Sequence, residues 1–341
     1  MVFGPCGGVT ADGGCETGTE PCPFATRPTV RWPTRRDGAS SGGPKPPAPA
    51  LVGAAAELVA LMARRPVVVA DVPLTTPSAD DLRALVDVLV ADCDAGLLGD
   101  APWCRVQLPP SLRAALCSAG GLRAWVGLNC RDRNRVALEG ELAGLVAAGA
   151  AAAHCVTGDH PATGDRPDAA PVFDLDATRL AALAGPGGLH VSVAESPLAP
   201  PRAERGARLA EKVRAGAHGC IVNLVGPAEE LAGFIDRATA AGAGPDRGVT
   251  FLACVPVVTT VSARRLLGRF PGLVLPEAVQ RAAAEEDPRR AGIAAAVEVA
   301  ESYLAVPGVV GVDLTAAAAA GDERGVATDL AVIARTLGGG R

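Results

Sequence analysis

From about Leu51 the chain alternates short, wholly apolar runs with longer stretches that are apolar on one side only. The runs are "PVVVADVPL" (66–74), "AGLLGD" (95–100), "AWVGLNC" (124–130), "AAAHCVTG" (151–158), "LHVSVAE" (189–195), "GCIVNLV" (219–225), "VTFLACVPVV" (249–258) and "VVGVDLT" (309–315). Between them Leu82, Leu85, Val86, Leu89 and Val90 recur at i, i+3, i+4, i+7 and i+8, and Leu138, Leu142, Leu145 and Val146 do much the same. Strands that are apolar throughout, each followed by an amphipathic helix, require a parallel sheet whose outer face is covered by crossover helices. Eight such units predict a closed (β/α)8 TIM barrel over residues 51–341. An open doubly wound sheet would show a glycine-rich phosphate fingerprint after an early strand, and no run is followed by one.

The N-terminal part differs. Residues 1–25 form a glycine- and cysteine-rich head, and residues 26–50 are rich in Pro, Gly, Ser and Arg without periodicity, which predicts a flexible linker. At 341 residues and 49% apolar content the chain can bury a large core, and only 3% aromatics predict one packed with small and branched aliphatics. A net charge of −5 with scattered arginines argues against nucleic-acid binding. No run is long enough to span a membrane, and the first residues do not read as a signal peptide, so the expected compartment is the cytoplasm. Ten cysteines, most of them inside predicted strands and helices, read as reduced core thiols.

In such a barrel the loops leaving the C-terminal ends of the strands build the active site. Asp71, Cys130-Arg131-Asp132, Gly158-Asp159-His160, Glu195, Asn223 and Asp313 all fall late in or just after predicted strands and are expected at one mouth. In "VTGDHP" the glycine permits close approach of backbone to a ligand and the carboxylate can bond a polar ring edge; the same residues also make an ordinary strand-ending turn. In "CRDRN" the arginines can hold an anion, or Asn134 can cap the next helix, the more common use of such a residue. His154 and His190, inside apolar strands, read as core histidines satisfied by backbone. His160 stands at the mouth, where an imidazole meets either ligand or solvent.

Three segments, in order, resemble the methylenetetrahydrofolate reductase family. "GLNCRDRN", "CVTGDHP" and "KVRAGAHGCIVN" (212–223) are similar to its "hltCrdrN", "ltGDxP" and "KVxAGAxxxxTQ" patterns, and the likeness runs over about residues 60–340. The resemblance implies a TIM barrel that holds FAD at its mouth and passes a hydride from NAD(P)H to methylenetetrahydrofolate. It implies that Asp159, Gly158, Lys212, Cys130 and Arg131 serve the cofactor, Asn223 and Glu195 the folate, and Asp71 acts as general acid. The chain also departs from the family. Asp71 stands for a glutamate and Asn223 for a glutamine, each one carbon shorter, and a misplacement of about 1 Å can cost on the order of 100-fold in rate. Gly127 replaces a histidine, "VAESPL" keeps only Glu195 of a longer motif, Arg205 stands for an acidic residue, and "DLTAAAAAGD" lacks a substrate-facing arginine. Three outcomes stay open: a shifted cofactor, a folate-binding or partner subunit without FAD, or lost catalysis.

The head, "FGPCGGVTADGGCETGTEPCPF", resembles the small cysteine-rich module found beside such barrels. That resemblance implies that Cys6, Cys15 and Cys22 bind zinc or an iron–sulfur cluster; in the partner-subunit reading the head links the barrel to another redox or methyl-transfer protein, and a homo-oligomer or a redox partner protein is the expected assembly. A closed zinc site needs four ligands, so reduced thiols in a loop are the other reading.

Overall fold

The computed structural model describes residues 9–10, 12–15, 21–26, 50–99, 104, 106–223, 225–267, 274–282 and 284–340. Eight strands, β1 (Val67–Asp71), β2 (Ala95–Leu98), β3 (Ala124–Asn129), β4 (Ala152–Val156), β5 (His190–Glu195), β6 (Gly219–Val222), β7 (Thr250–Pro256) and β8 (Val309–Thr315), each begin inside one of the predicted runs. They pair in parallel and in chain order, and β8 returns to β1 through Val67 opposite Gly311 and Val69 opposite Asp313. The barrel is closed, as the pattern requires.

The helices are α1 (Pro23–Thr26), α2 (Gly53–Met62), α3 (Ala79–Leu89), α4 (Pro110–Ala119), α5 (Arg135–Ala147), α6 (Ala177–Ala184), α7 (Arg205–Ala215), α8 (Ala228–Ala240), α9 (Val261–Leu267), α10 (Glu277–Ala282), α11 (Pro288–Leu304) and α12 (Glu323–Thr336). Local chemistry starts them where they start. Ser78 accepts from the Asp81 amide at 3.1 Å to cap α3, with Asp80 and Asp81 in the first turn where the helix dipole favours acids. Asn134 caps α5 through the Ala137 amide at 3.0 Å, which realises the capping reading of "CRDRN". Leu82, Leu85, Val86 and Leu89 are buried as their spacing predicts; in α5 Leu138, Leu142 and Leu145 are buried, but Val146 is 44% exposed and drops out of the stripe.

Two apolar layers result. The outer one lies between strands and helices and takes up Cys93, Cys117, Cys130, Cys155 and Cys220, unbridged thiols packed like small aliphatics. Burial pushes Cys93, Cys117 and Cys130 up to about 12, so they stay protonated. The inner layer fills the lower barrel with Val67, Val69, Ala95, Leu97, Trp125, Ala152, Ile221 and Leu252, and α2 closes the bottom by laying Leu58 and Met62 against them. Each Val, Leu, Ile or Met among them contributes about 2 kcal/mol.

The inner layer stops at one height. Side chains alternate in and out along a strand, and two residues above the last packed inward position the chain turns polar or minute. Val69 gives way to Asp71, Trp125 to Gly127, Ala152 to His154, Ile221 to Asn223 and Leu252 to Cys254, and all five upper residues line one cavity.

Of the head, Val9 bridges Cys15 and Gly14 bridges Pro21 as short antiparallel contacts. Phe24 of α1 packs edge-on against Phe173 at 4.8 Å and against His160 at 5.2 Å. Residues 27–49 of the proposed linker lie outside the described residues. Among the described residues no helix is long and apolar enough to cross a membrane.

Candidate functional site

The C-terminal ends of the strands surround a cavity of about 440 Å³, within the range typical of small-molecule sites. Asp71, Gly158, Asp159, Glu195, Lys212 and Asn223 all line it, so six of the residues singled out in the sequence share one space. In particular the carboxylates of β1 and of the loop after β4 meet at the same rim.

One wall carries acid. Asp71 at the end of β1 and Asp313 in β8 lie close enough for the charge of one to disfavour ionisation of the other. Burial, then the Asp313 charge, holds Asp71 well above the usual carboxylate range, although a Thr315 hydrogen bond pulls the other way. Burial pushes Asp313 up to about 7, against the hydrogen bonds of Cys254 and Thr315. The pair therefore holds a proton near neutrality. The Cys254 thiol donates to Asn223 Oδ1 at 2.8 Å and reaches Asp313 Oδ2 at 3.4 Å. Thr315 Oγ1 also donates to Asp313 Oδ2 at 3.4 Å, while Asp313 Oδ1, fully buried, has no hydrogen-bond partner.

The opposite wall is basic. Glu195, 2% exposed at the end of β5, meets three cations on α7: Lys212 Nζ at 2.6 Å, Arg205 Nη1 at 3.5 Å and Arg208 Nε at 3.5 Å. Lys212 also donates to the Ala194 carbonyl at 2.6 Å. Burial alone would raise Glu195, but Lys212, Arg208 and Arg205 outweigh it and hold the carboxyl below its usual range. Burial lowers Lys212, against the attraction of Glu195. Three cations of α7 thus gather around one buried carboxylate on this wall. Glu195, expected to touch the folate, lines the cavity and anchors the α7 cations.

Between the walls stands His154, whose Nδ1 shares a 2.8 Å hydrogen bond with Ser192 Oγ, itself accepting from Trp125 Nε1 at 2.9 Å. Burial and the Lys212 charge push its imidazole down to about 3, so it is neutral. His190 pairs with Thr250 Oγ1 at 3.3 Å and keeps a buried Nδ1 without a partner. Both histidines thus use side-chain hydroxyls where backbone was expected.

Other residues singled out in the sequence lie outside the cavity. Cys130 and Arg131 do not line the cavity. Trp125 and Gly127 fix the inward parity of β3, and Cys130, an odd number of residues further on, falls into the outer core. Arg131, 1% exposed, clamps its neighbour Asp132 with bonds of 2.8 Å and 2.6 Å. His160 turns from the mouth and lies under Phe24, its Nδ1 accepting from the Ala162 amide at 3.1 Å. Of the proposed metal ligands, Cys15 and Cys22 are buried and Cys6 lies outside the described residues. Among the described residues no group of three or more potential metal ligands comes together.

Gly158 has a strict reason to be glycine. Its φ is +86°, and an added Cβ would sit 3.1 Å from the Asn129 Cβ and 3.2 Å from the Arg131 Cβ. Gly158→Ala is expected to cost about 1–3 kcal/mol, read as a lower urea midpoint with unchanged m-value. An unchanged midpoint would mean that the loop bearing Asp159 is not held in this shape.

Fold and site together define a (β/α)8 barrel with a bipolar mouth, acidic on β8 and β1 and basic at β5 and α7. No protein-family model matches the chain, and no curated protein matches it in sequence. Among solved structures, a Clostridium thermocellum protein that binds two copies of 5-methyl-5,6,7,8-tetrahydrofolic acid is similar, with a TM-score of 0.57 and 12% identity over 81% of this chain and 98% of that one. A 2,3-dimethylmalate lyase of the PEP mutase/isocitrate lyase superfamily has a TM-score of 0.44 and 15% identity over 66% of this chain and 81% of its own. A putative lyase/mutase from Burkholderia cenocepacia J2315 has a TM-score of 0.45 and 16% identity, covering 83% and 85%. At 12% identity the likeness to the Clostridium thermocellum protein speaks to the fold alone.

Proposed function

We propose that the mouth cavity binds a reduced folate. The observation that carries this reading is the bipolar cavity itself. A folate is a ring rich in N–H donors joined to an anionic tail, and here acceptors on β8 and β1 face cations on α7 across about 440 Å³. The resemblance of the three sequence motifs to the methylenetetrahydrofolate reductase family supports the same ligand. The Clostridium thermocellum protein adds that a barrel of this shape can hold 5-methyltetrahydrofolate.

Titration calorimetry with 5-methyltetrahydrofolate tests it, with an expected Kd on the order of 1–100 μM, or roughly −8 to −5.5 kcal/mol. Absence of binding at millimolar ligand would overturn the reading.

A second reading, reduction of 5,10-methylenetetrahydrofolate, is favoured by Asp159 and Lys212 lining the same cavity as a protonated acid pair. The residues present suit a flavin: Asp159 for the polar edge of its ring and Arg208 and Lys212 for its phosphates. When bound, a flavin supplies the hydride of NAD(P)H to the one-carbon unit. The chain's own part is the proton: Asp71 gives it to N10, the bond from N10 to the bridging carbon breaks, and that carbon, once it gains the hydride, is the 5-methyl group. FAD titrated into the protein, followed at 450 nm, and bleaching by NADH or NADPH separate the readings. A protein that binds 5-methyltetrahydrofolate but never FAD is a folate-binding subunit.

A further inference from the structure

We infer that Asn223, Asp313 and Asp71 together read the 2-amino-4-oxo edge of a pterin ring, so that the mouth selects this heterocycle from other pteridines. The inference rests on the folate reading above and names the ring contacts within it. It starts from an orphan. Asp313 lines the cavity and is 1% exposed, its Oδ2 accepts from Thr315 Oγ1 at 3.4 Å, and its buried Oδ1 has no partner. A buried carboxyl oxygen left unsatisfied costs about 1–3 kcal/mol, more when charged, and a ligand N–H recovers that cost.

Cys254 supplies the second part. Its thiol donates to Asn223 Oδ1 at 2.8 Å, which fixes the amide with its NH₂ directed elsewhere. Asn223 therefore offers the cavity a donor, where Asp313 and Asp71 offer acceptors. The order is set by the barrel: β6, β7, β8 and β1 are adjacent, so donor, acceptor and acceptor follow one another around the rim. The edge of a pterin runs C4 carbonyl, N3–H and 2-amino, or acceptor, donor and donor. The two series are complementary position by position, with Asn223 on the carbonyl, Asp313 on N3–H and Asp71 on the amino group.

An Asp71 so engaged is not the proton donor at N10, which favours the binding reading over the reductase one.

The test uses pterin and lumazine, which differ by exchange of the 2-amino group for an oxo group, titrated into the whole protein by fluorescence. The wild type is expected to prefer pterin at least tenfold, because the 2-amino group satisfies an Asp71 carboxyl oxygen, whereas lumazine sets an oxygen there and binds only once the proton of the acid pair is moved to face it. Asp71→Asn, whose amide can donate, is expected to lose or reverse that preference. Asp313→Asn is expected to weaken both ligands at least tenfold, since both carry N3–H. Circular dichroism and urea midpoints establish that each variant is folded. Equal binding of the two ligands by the wild type, or pterin binding unchanged in either variant, overturns the inference. If 5-methyltetrahydrofolate still binds in that case, the folate reading survives it; if nothing binds the wild type, both fall.

Discussion

Replacing Glu195 with Gln is expected to cost about 3–5 kcal/mol of stability, the range seen when one partner of a buried ion pair is removed. The carboxylate is 2% exposed and is the shared counter-ion of Lys212, Arg205 and Arg208, at 2.6, 3.5 and 3.5 Å. Without it three cations remain against one wall, Lys212 and Arg205 both almost fully buried. Uncompensated buried charge is among the few causes of losses this large. In a barrel of this size each kcal/mol moves Tm by about 2–4 °C, so a drop on the order of 10 °C should be seen by calorimetry. High salt should recover little of it, because buried charges are poorly screened. Lys212→Met, which removes one cation and keeps the carboxylate between two arginines, should be milder. A Glu195→Gln protein as stable as the wild type would show that the cluster is open to water.

Asp313→Asn should act in the opposite direction and stabilise the protein at neutral pH. Asp313 is pushed from an ordinary 3.8 up to about 7, so the folded state holds a proton that the unfolded chain releases. Stability from this group is complete below about pH 4 and is lost as pH rises through about 7. Three pH units at 1.36 kcal/mol each set an upper bound on the order of 4 kcal/mol, and about 2 kcal/mol is expected after relaxation around the pair. The groups facing Asp313 are Asp71, Cys254 and Thr315; the amide of the variant can donate to Asp71 and let it ionise. Urea midpoints at pH 4, 6 and 8 should fall for the wild type and stay nearly level for the variant. A variant less stable than the wild type at pH 8 would mean that the carboxyl makes native contacts worth more than its burial costs. Gain of stability with loss of ligand is the usual trade at a binding site.

The fold was legible because it rests on the coarsest signal in the chain. Each apolar run became a strand, and the missing phosphate fingerprint correctly favoured a closed barrel over an open sheet. The cavity was partly legible for the same reason: Asp71, Asp159 and Asn223 end or follow strands, and strand ends meet at one rim. Cys130 failed on a finer scale, since a shift of one residue reverses the face of a strand; Arg131 has the inward parity of Trp125 and Gly127 but lies beyond the end of β3 and turns to Asp132. Arg208 was missed although a signal existed. Arg205, Arg208 and Lys212 stand at i, i+3 and i+7 on one side of α7, the arrangement by which a helix converges several cations on one acid. The partnership of Cys254 with Asn223 was not readable, because it depends on the register of β6 against β7, in which Val222 stands opposite Ala253.

The barrel keeps its scaffold and its furnishings on separate storeys. Leu58 and Met62 of α2 seal the lower one, an apolar plug tied to the residues above it through the Trp125–Ser192–His154 hydrogen bonds. Rewriting Asp71, Gly127, Asn223 and Cys254 to fit another flat heterocycle, with Glu195 and His154 kept, should therefore leave the foundation standing, which makes this chain a natural host for grafted recognition sites.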